Sequence, residues 1–174
     1  IHIFFGERAA SKIADIPKET PLHPINNAGV VGSGTMGGGI AMLFANAGIP
    51  VLVLDQDEDN LKRGMSIIKK NYQMMVDKGR MLDDQKDAVM KLITPTLTYE
   101  DLSEVDIVVE AVYENLDLKQ EIFQKLDTHT NANAILASNT SGLDIDAIAS
   151  STSRPGKVVG THFFSPANIM RLLE

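Results

Sequence analysis

A glycine-rich segment and one aspartate have the residue types and order of a nucleotide site. The segment follows the pattern G-x-G-x-x-G and reads Gly32-Ser33-Gly34-Thr35-Met36-Gly37. Its first glycine permits a tight turn, its second lets backbone N–H groups approach a pyrophosphate, and its third permits close helix–strand packing. Asp55 ends the next predicted strand, where a carboxylate accepts hydrogen bonds from a ribose. Strand, loop, helix and acid in this order predict a dinucleotide site rather than a turn without a ligand.

Asp55 also discriminates between dinucleotides. A carboxylate at this position repels the 2′-phosphate of NADP, and the next residues, Gln56 and Asp57, supply no cation. We therefore predict that NAD is the cofactor and that Gln56 lies beside it. FAD uses a similar loop, and the motif alone leaves it open.

His162 is the candidate proton acceptor. It ends an apolar run over 158–161, and open α/β sheets bind ligands beyond the carboxyl ends of their strands. Imidazole titrates near neutral pH, and oxidation of an alcohol requires a base. Glu174 is a possible orienting carboxylate. A histidine with a purely structural role in the core is the alternative.

Polar residues also follow two other predicted strands. Ser138-Asn139-Thr140-Ser141 comes after the strand over 134–137 and can orient a substrate oxygen or cap the next helix. Glu114 and Asn115 come after the strand over 106–112. Glu114 either contacts the cofactor or stabilises the following helix through its N-terminal dipole.

Six cations are concentrated in one segment of an acidic chain. The chain has 16 Lys and Arg against 23 Asp and Glu, a formal charge of −7, which argues against nucleic-acid and membrane-surface binding. Between residues 61 and 80 the only acid is Asp77, and the cations are Lys62, Arg63, Lys69, Lys70, Lys78 and Arg80. This basic segment is either an anion site or a solvated helix face.

The elements that must position these residues alternate between strand and helix. We predict strands over 28–31, 51–54, 92–97, 106–112, 134–137 and 158–162. We predict helices over 35–47, 116–128 and 145–149, and a helical hairpin over 58–90 that breaks near residues 78–80. This alternation predicts an α/β fold of the Rossmann type, in which a doubly wound, mainly parallel sheet is covered by helices on both faces.

Length and composition fit one domain of ordinary size, with 174 residues of which 44% are hydrophobic. The absence of cysteine excludes disulfides, thiolate metal sites and a cysteine nucleophile, and we expect no metal. No apolar run approaches the roughly 20 residues of a membrane span. We predict an amphipathic linker helix over 1–16, a proline-rich connector completing 1–25, and a nucleotide-binding domain over 26–174. The ends carry no terminal signals, so we expect an excised fragment.

Five segments together resemble the L-3-hydroxyacyl-CoA dehydrogenase family, and they lie at 32–40, 51–56, 108–119, 137–143 and 160–174. The most specific is the last, which reads GTHFFSPANIMRLLE. The resemblance covers about residues 26–174. The preceding IHIFFGERAASK is similar to the helix that joins the enoyl-CoA hydratase and dehydrogenase parts of multifunctional fatty-acid oxidation enzymes, such as bacterial α-subunits and the peroxisomal bifunctional enzyme.

The resemblance implies roles for individual residues. His162 would accept the 3-hydroxyl proton, Glu174 would hold its imidazole, and Ser141 would hydrogen-bond the substrate oxygen. Besides the glycine segment and Gln56, the NAD contacts would be Asp55, Glu114, Lys119 and Ser138. The CoA contacts would be Asn71 and Lys78. Asn71 departs from the serine of the single-function enzymes, which puts its role in doubt.

The resemblance also implies a reaction and missing parts. The reaction is oxidation of L-3-hydroxyacyl-CoA by NAD to 3-oxoacyl-CoA, in fatty-acid β-oxidation. A C-terminal helical domain would follow residue 174, so we expect this chain alone to bind NAD with little turnover. The parent would be dimeric or would assemble with a thiolase, in the cytoplasm of a bacterium or in a eukaryotic peroxisome or mitochondrial matrix. The alternatives are another NAD-dependent β-hydroxyacid dehydrogenase and a non-catalytic NAD-binding module.

Overall fold

One parallel sheet organises the part of the chain that the computed structural model describes, which is residues 16–17, 19–170 and 172–174. Its six strands are β1 (Ala28–Val31), β2 (Val51–Leu54), β3 (Ile93–Thr96), β4 (Ile107–Glu110), β5 (Ile135–Ser138) and β6 (Val158–Gly160). Their order in the sheet is β3-β2-β1-β4-β5-β6. This is the order of dinucleotide-binding sheets, whose ligands bind where the order reverses, between β1 and β4. The predicted fold class is confirmed.

Five helices connect the strands in the described residues. They are α1 (Thr35–Asn46), α2 (Glu58–Asp77), α3 (Asp83–Met90), α4 (Leu116–His129) and α5 (Ile145–Ala149), with 3₁₀ turns at Tyr99–Glu104 and Pro155–Lys157. The side chain of Asp57 caps α2 and that of Asn115 caps α4, each by accepting from a backbone N–H three residues on. The turn between α2 and α3 contains Gly79 with φ of +65°, as the predicted break in the hairpin requires.

Alternating strand residues build a core on each face of the sheet. Val30 and Val109 pack with α1, α2 and α3 on one face, whereas Val31 and Val108 pack with α4 and α5 on the other. All four side chains are at most 2% exposed. Two buried faces explain why these strands read as continuous apolar runs rather than alternating ones.

Several boundaries differ from the predictions. β4 ends at Glu110 rather than at residue 112, because the N–H of Val112 donates to the Glu110 carboxylate instead of to a neighbouring strand. β6 ends at Gly160, so His162 lies in the loop beyond it. Both 3₁₀ turns were missed, since such short segments have no periodicity. The helix predicted over 1–16 lies outside the described residues, apart from Ile16. Among the helices described, none combines the length and apolarity of a membrane span.

Candidate cofactor and catalytic site

The glycine segment joins β1 to α1 at the carboxyl edge of the sheet. Gly32 has φ of +99°, a conformation that favours glycine. A Cβ on Gly37 would lie 1.8 Å from the carbonyl oxygen of Gly32, so only glycine fits at this crossing of helix and loop. No side chain caps α1 at Gly34, which leaves the first N–H groups of the helix available to an anionic ligand. Thr35 is exposed in the first turn, and Met36 packs against the core.

Asp55 is fixed to the glycine segment by Ser33. Its Oδ2 accepts from the backbone N–H of Ser33 at 2.9 Å and from the Ser33 hydroxyl at 2.6 Å. Oδ1 accepts only a longer bond, from the N–H of Asp57 at 3.3 Å. A carboxylate has about four acceptor positions, so Asp55 retains capacity for ribose hydroxyls.

A cleft of about 470 Å³ lies between the glycine segment and the end of β4. Its volume is within the usual range of small-molecule sites, about 300–1,000 Å³. Its lining includes Gly32, Ser33, Gly34, Asp55, Gln56, Val112, Tyr113 and Ile122, and contains no Lys or Arg among the described residues. These residues fit an NAD molecule: the glycine segment would hold its pyrophosphate, and Asp55 and Gln56 would hold its adenosine end.

Glu114 lies at the edge of the site, in the loop between β4 and α4. Its Oε1 accepts from the N–H of Ser141 at 3.0 Å and from the Thr140 hydroxyl. Partial burial opposes ionisation, but these two hydrogen bonds and the nearby charge of Lys119 outweigh it, so the pKa of Glu114 lies below its usual value. Glu114 is therefore a carboxylate that fixes the loop after β5.

His162 and Glu174 form the pair that the sequence predicted. The Nδ1 of His162 lies 3.2 Å from Oε2 of Glu174. The two residues also exchange backbone hydrogen bonds of 2.7 and 3.1 Å, next to an antiparallel bridge between Phe163 and Leu173. Asn139, in the loop after β5, accepts from the N–H of Phe163 at 3.0 Å. This bond ties the His162 loop to the polar segment after β5.

The basic segment lies on α2 and on the turn after it. Lys62 pairs with Glu58 at 2.8 Å, and Arg63 bonds to Asn60 within the helix. Lys69, Lys70, Lys78 and Arg80 are exposed, and their side chains form no ion pair within the described part of the chain. Asn71 is half-buried and lines a second cleft, of about 210 Å³, between α1, α2 and residues 166–169.

Comparison with known proteins identifies the family. Residues 27–174 match the family model described as "3-hydroxyacyl-CoA dehydrogenase, NAD binding domain". The chain belongs to the 3-hydroxyacyl-CoA dehydrogenase family. It contains the NAD-binding domain of that family, so NAD is the cofactor and the predicted cofactor is confirmed.

Curated relatives and solved structures agree with this family. The chain is 41% identical to the human peroxisomal bifunctional enzyme over 99% of the chain, and 37% identical to the Arabidopsis thaliana peroxisomal fatty acid beta-oxidation multifunctional protein AIM1 over 100% of it. It spans 24% of the length of each. The crystal structure of (S)-3-hydroxybutyryl-CoA dehydrogenase PaaH1 from Ralstonia eutropha matches with a TM-score of 0.84 and 35% identity, covering 86% of this chain and 53% of that one.

In this dehydrogenase domain the predicted NAD contacts separate into two groups. The main cleft is lined by Gly32, Ser33, Gly34, Asp55 and Gln56, and its lining does not include Thr35, Met36, Gly37 or Glu114. Lys119 and Ser138 instead have no solvent exposure, and both bond to the buried Glu110. The structure does not bring their side chains to the surface of the site, and their contact with NAD stays a prediction. Sequence reasoning missed Glu110, although a single acid at the end of an otherwise apolar strand was a usable signal.

Proposed function

We propose that the protein containing this chain oxidises L-3-hydroxyacyl-CoA to 3-oxoacyl-CoA, with NAD as hydride acceptor. The observation that carries this proposal is the His162–Glu174 pair. The pair lies just beyond the carboxyl end of β6, and the glycine segment follows the carboxyl end of β1 at the same edge of the sheet. A positioned base near a nicotinamide site is what oxidation of a secondary alcohol requires.

The contact with Glu174 determines which nitrogen of His162 can act as the base. An ionised carboxylate only accepts hydrogen bonds, so the 3.2 Å contact requires the proton of the neutral ring to be on Nδ1. Nε2 is then unprotonated and takes the proton of the 3-hydroxyl group. The O–H bond breaks as the carbonyl forms, and Glu174 stabilises the resulting imidazolium. Bound NAD supplies the acceptor for the hydride that leaves C3.

The remaining roles concern the substrate. Ser141 is exposed beside Glu114 and hydrogen-bonds the substrate oxygen. Lys78, at the end of α2, contacts the phosphates of CoA. Asn71 lies on the same helix, where it lines the second cleft, and contacts the CoA chain. An acyl-CoA is strongly anionic, so cations without a described partner on α2 are a suitable surface for it.

NAD-dependent oxidation of L-3-hydroxyacyl-CoA by the complete protein tests this function. We expect NADH formation with the CoA thioester and none with the free 3-hydroxy acid, and we expect His162→Gln to abolish nearly all of it. Turnover of the free acid alone would favour another β-hydroxyacid dehydrogenase. NADH binding without turnover of either substrate would favour a non-catalytic module.

The names of the relatives support a proposal for the wider setting of the protein. The human and Arabidopsis relatives are named as peroxisomal enzymes. We place the complete protein in a peroxisome or mitochondrial matrix if its source is eukaryotic and in the cytoplasm if it is bacterial. We also expect it to be a dimer or to assemble with a thiolase, and size-exclusion chromatography of the complete protein checks this.

A further inference from the structure

Glu110 is a fully buried carboxylate at the last position of β4. Its Oε1 accepts from Nζ of Lys119 at 2.6 Å and from the N–H of Val112 at 2.7 Å. Its Oε2 accepts from the hydroxyl of Ser138 at 2.7 Å, because the register of β4 and β5 places the two residues side by side. Glu110 has no solvent exposure and is surrounded by these three protein groups, so it acts on other residues rather than on a ligand.

Lys119 carries a charge without solvent contact between two carboxylates. Its side chain is 0% exposed, and Nζ lies 2.6 Å from Glu110 and 3.4 Å from Oε2 of Glu114. An ammonium group at such a position depends on a counter-charge, since burying it unpaired is costly. Glu110 supplies that counter-charge from the buried side. The ammonium group can then also attract the carboxylate of Glu114, whose side chain lies on the outer side and is 40% exposed.

The contacts continue from Glu114 to the surface loop. Glu114 fixes Thr140 and Ser141 through the hydrogen bonds described above. A continuous series of charged and polar contacts therefore joins the end of β4 to the loop after β5. Each member lies at the carboxyl edge of the sheet, where the cofactor binds.

We propose that Glu110 is a positioning residue for the NAD site, which acts by holding Lys119 and, through Lys119, the Glu114 carboxylate in place. Glu110 holds Lys119 and Ser138, Lys119 holds Glu114, and Glu114 holds the loop that carries Ser141. This role presupposes that the strand-end site binds NAD as proposed above.

Titration of the wild-type chain and three variants with NADH tests the proposal, with thermal unfolding measured on the same samples. The variants are Glu110→Gln, Lys119→Met and the two combined. Glu110→Gln leaves the buried ammonium of Lys119 with only the more distant and partly exposed Glu114 as counter-charge, so we expect a lower Tm and a loss of NADH affinity of about tenfold or more. A wild-type chain that does not bind NADH contradicts the NAD site itself rather than the role of Glu110.

The combined variant separates positioning from a purely structural role. It contains no unpaired buried charge, so we expect Tm to recover most of the loss. NADH affinity stays low, because Glu114 has lost its cation. Recovery of both Tm and NADH affinity to wild-type values would overturn the proposal.

A control substitution on α4 separates the role of Glu110 from the loss of any carboxylate near the site. Glu121→Gln removes an exposed ion pair with Lys125 on the same helix and should leave NADH affinity unchanged.

A charge-conserving variant keeps the proposal testable if the charge-changing ones do not fold. Glu110→Asp retains the counter-charge but withdraws it from Lys119 and Ser138 by one methylene group. We expect a folded protein whose NADH affinity is reduced. Wild-type affinity in a folded Glu110→Asp chain would also overturn the positioning role.

Discussion

Glu174 contacts His162 through both its backbone and its side chain. The backbone of each residue donates a hydrogen bond to the other, and the Glu174 carboxylate lies 3.2 Å from Nδ1 of His162. Two backbone hydrogen bonds therefore hold the residues together at the point where their side chains meet. The backbone bonds hold the two residues side by side, and the carboxylate lies within hydrogen-bond distance of Nδ1.

Substitution of His162 should lower kcat more than substitution of Glu174. His162→Gln in the complete protein should lower kcat by about 10²–10⁴-fold, the usual contribution of a positioned base, while NADH affinity stays close to wild type. Glu174→Gln should lower kcat less, because the amide oxygen can still accept from Nδ1 but no longer stabilises the imidazolium. Steady-state kinetics measure both. Wild-type kcat in His162→Gln would remove this residue from the mechanism.

Asp55 should determine the preference for NAD over NADP. Asp55→Ala should weaken NADH binding and narrow its advantage over NADPH, because the variant loses both the ribose acceptor and the repulsion of a 2′-phosphate. Parallel titrations with NADH and NADPH provide the measurement. Asp59→Ala is the control, since it removes the same charge from an exposed position outside the cleft. If Asp59→Ala narrowed the advantage of NADH over NADPH as much as Asp55→Ala does, the preference for NADH would be due to the net charge of the domain and not to Asp55.

The fold was predictable because burial on both faces of the sheet gives its strands continuous apolar sequences. Apolar runs such as 51–54 and 28–31 mark strands buried on both faces, and the glycine motif fixes where β1 meets α1. These signals are local in sequence. The strand ends were less predictable, because β4 stops where the Glu110 side chain takes a backbone N–H, and side-chain capture of this kind has no periodicity.

The site was only partly predictable, because its polar contacts join distant residues. Asp55 and His162 were found from their positions after apolar strands. The bond from Ser33 to Asp55 and the pairing of Glu110 with Lys119 depend on strand register and helix placement, which a single sequence does not specify. Lys119 was expected to contact NAD, and its burial became visible only in the structure.

Gly64 should be required for close packing of α2 on the glycine segment. A Cβ at Gly64 would lie 2.3 Å from the carbonyl oxygen of Ser33 and 2.7 Å from its Cβ, so either the helix or the loop must move. Gly64→Ala should therefore lower both NADH affinity and Tm. At Gly38 on α1 the nearest atom to a new Cβ would be a carbon of Ile68 at 3.4 Å, an ordinary contact. Gly38→Ala should preserve both quantities, and a similar loss there would contradict the packing explanation.

Lys78 should contribute to binding of acyl-CoA and not of NAD. Lys78→Ala in the complete protein should raise KM for the acyl-CoA substrate and leave KM for NAD unchanged, and the effect should shrink at high salt because exposed charges are screened. Lys62→Ala is the matched control, since Lys62 is already paired with Glu58 on the same helix. An unchanged KM in Lys78→Ala would favour the solvated-face interpretation of the basic segment.

Asp127 should make the stability of the domain depend on pH in the acidic range. Its carboxylate lies on α4, where Oδ2 accepts from the N–H of Ser153 at 2.7 Å and Oδ1 lies 2.9 Å from Nε of Arg154, a charge contact rather than an aligned hydrogen bond. Partial burial opposes ionisation, but the Ser153 hydrogen bond and the Arg154 charge outweigh it and hold the pKa of Asp127 below its usual value.

The lowered pKa fixes the sign of the pH dependence. The stabilisation is fully present above the unfolded-state pKa of about 3.9 and is lost as pH falls through the lower pKa of the folded state. Urea unfolding at a series of pH values should show Asp127→Asn less stable than wild type by about 1–3 kcal/mol near pH 7. The two curves should converge on acidification, because protonation of wild-type Asp127 removes the same charge as the substitution. A difference that stays constant down to pH values below the folded-state pKa would mean that Asp127 stabilises the domain by packing rather than by charge.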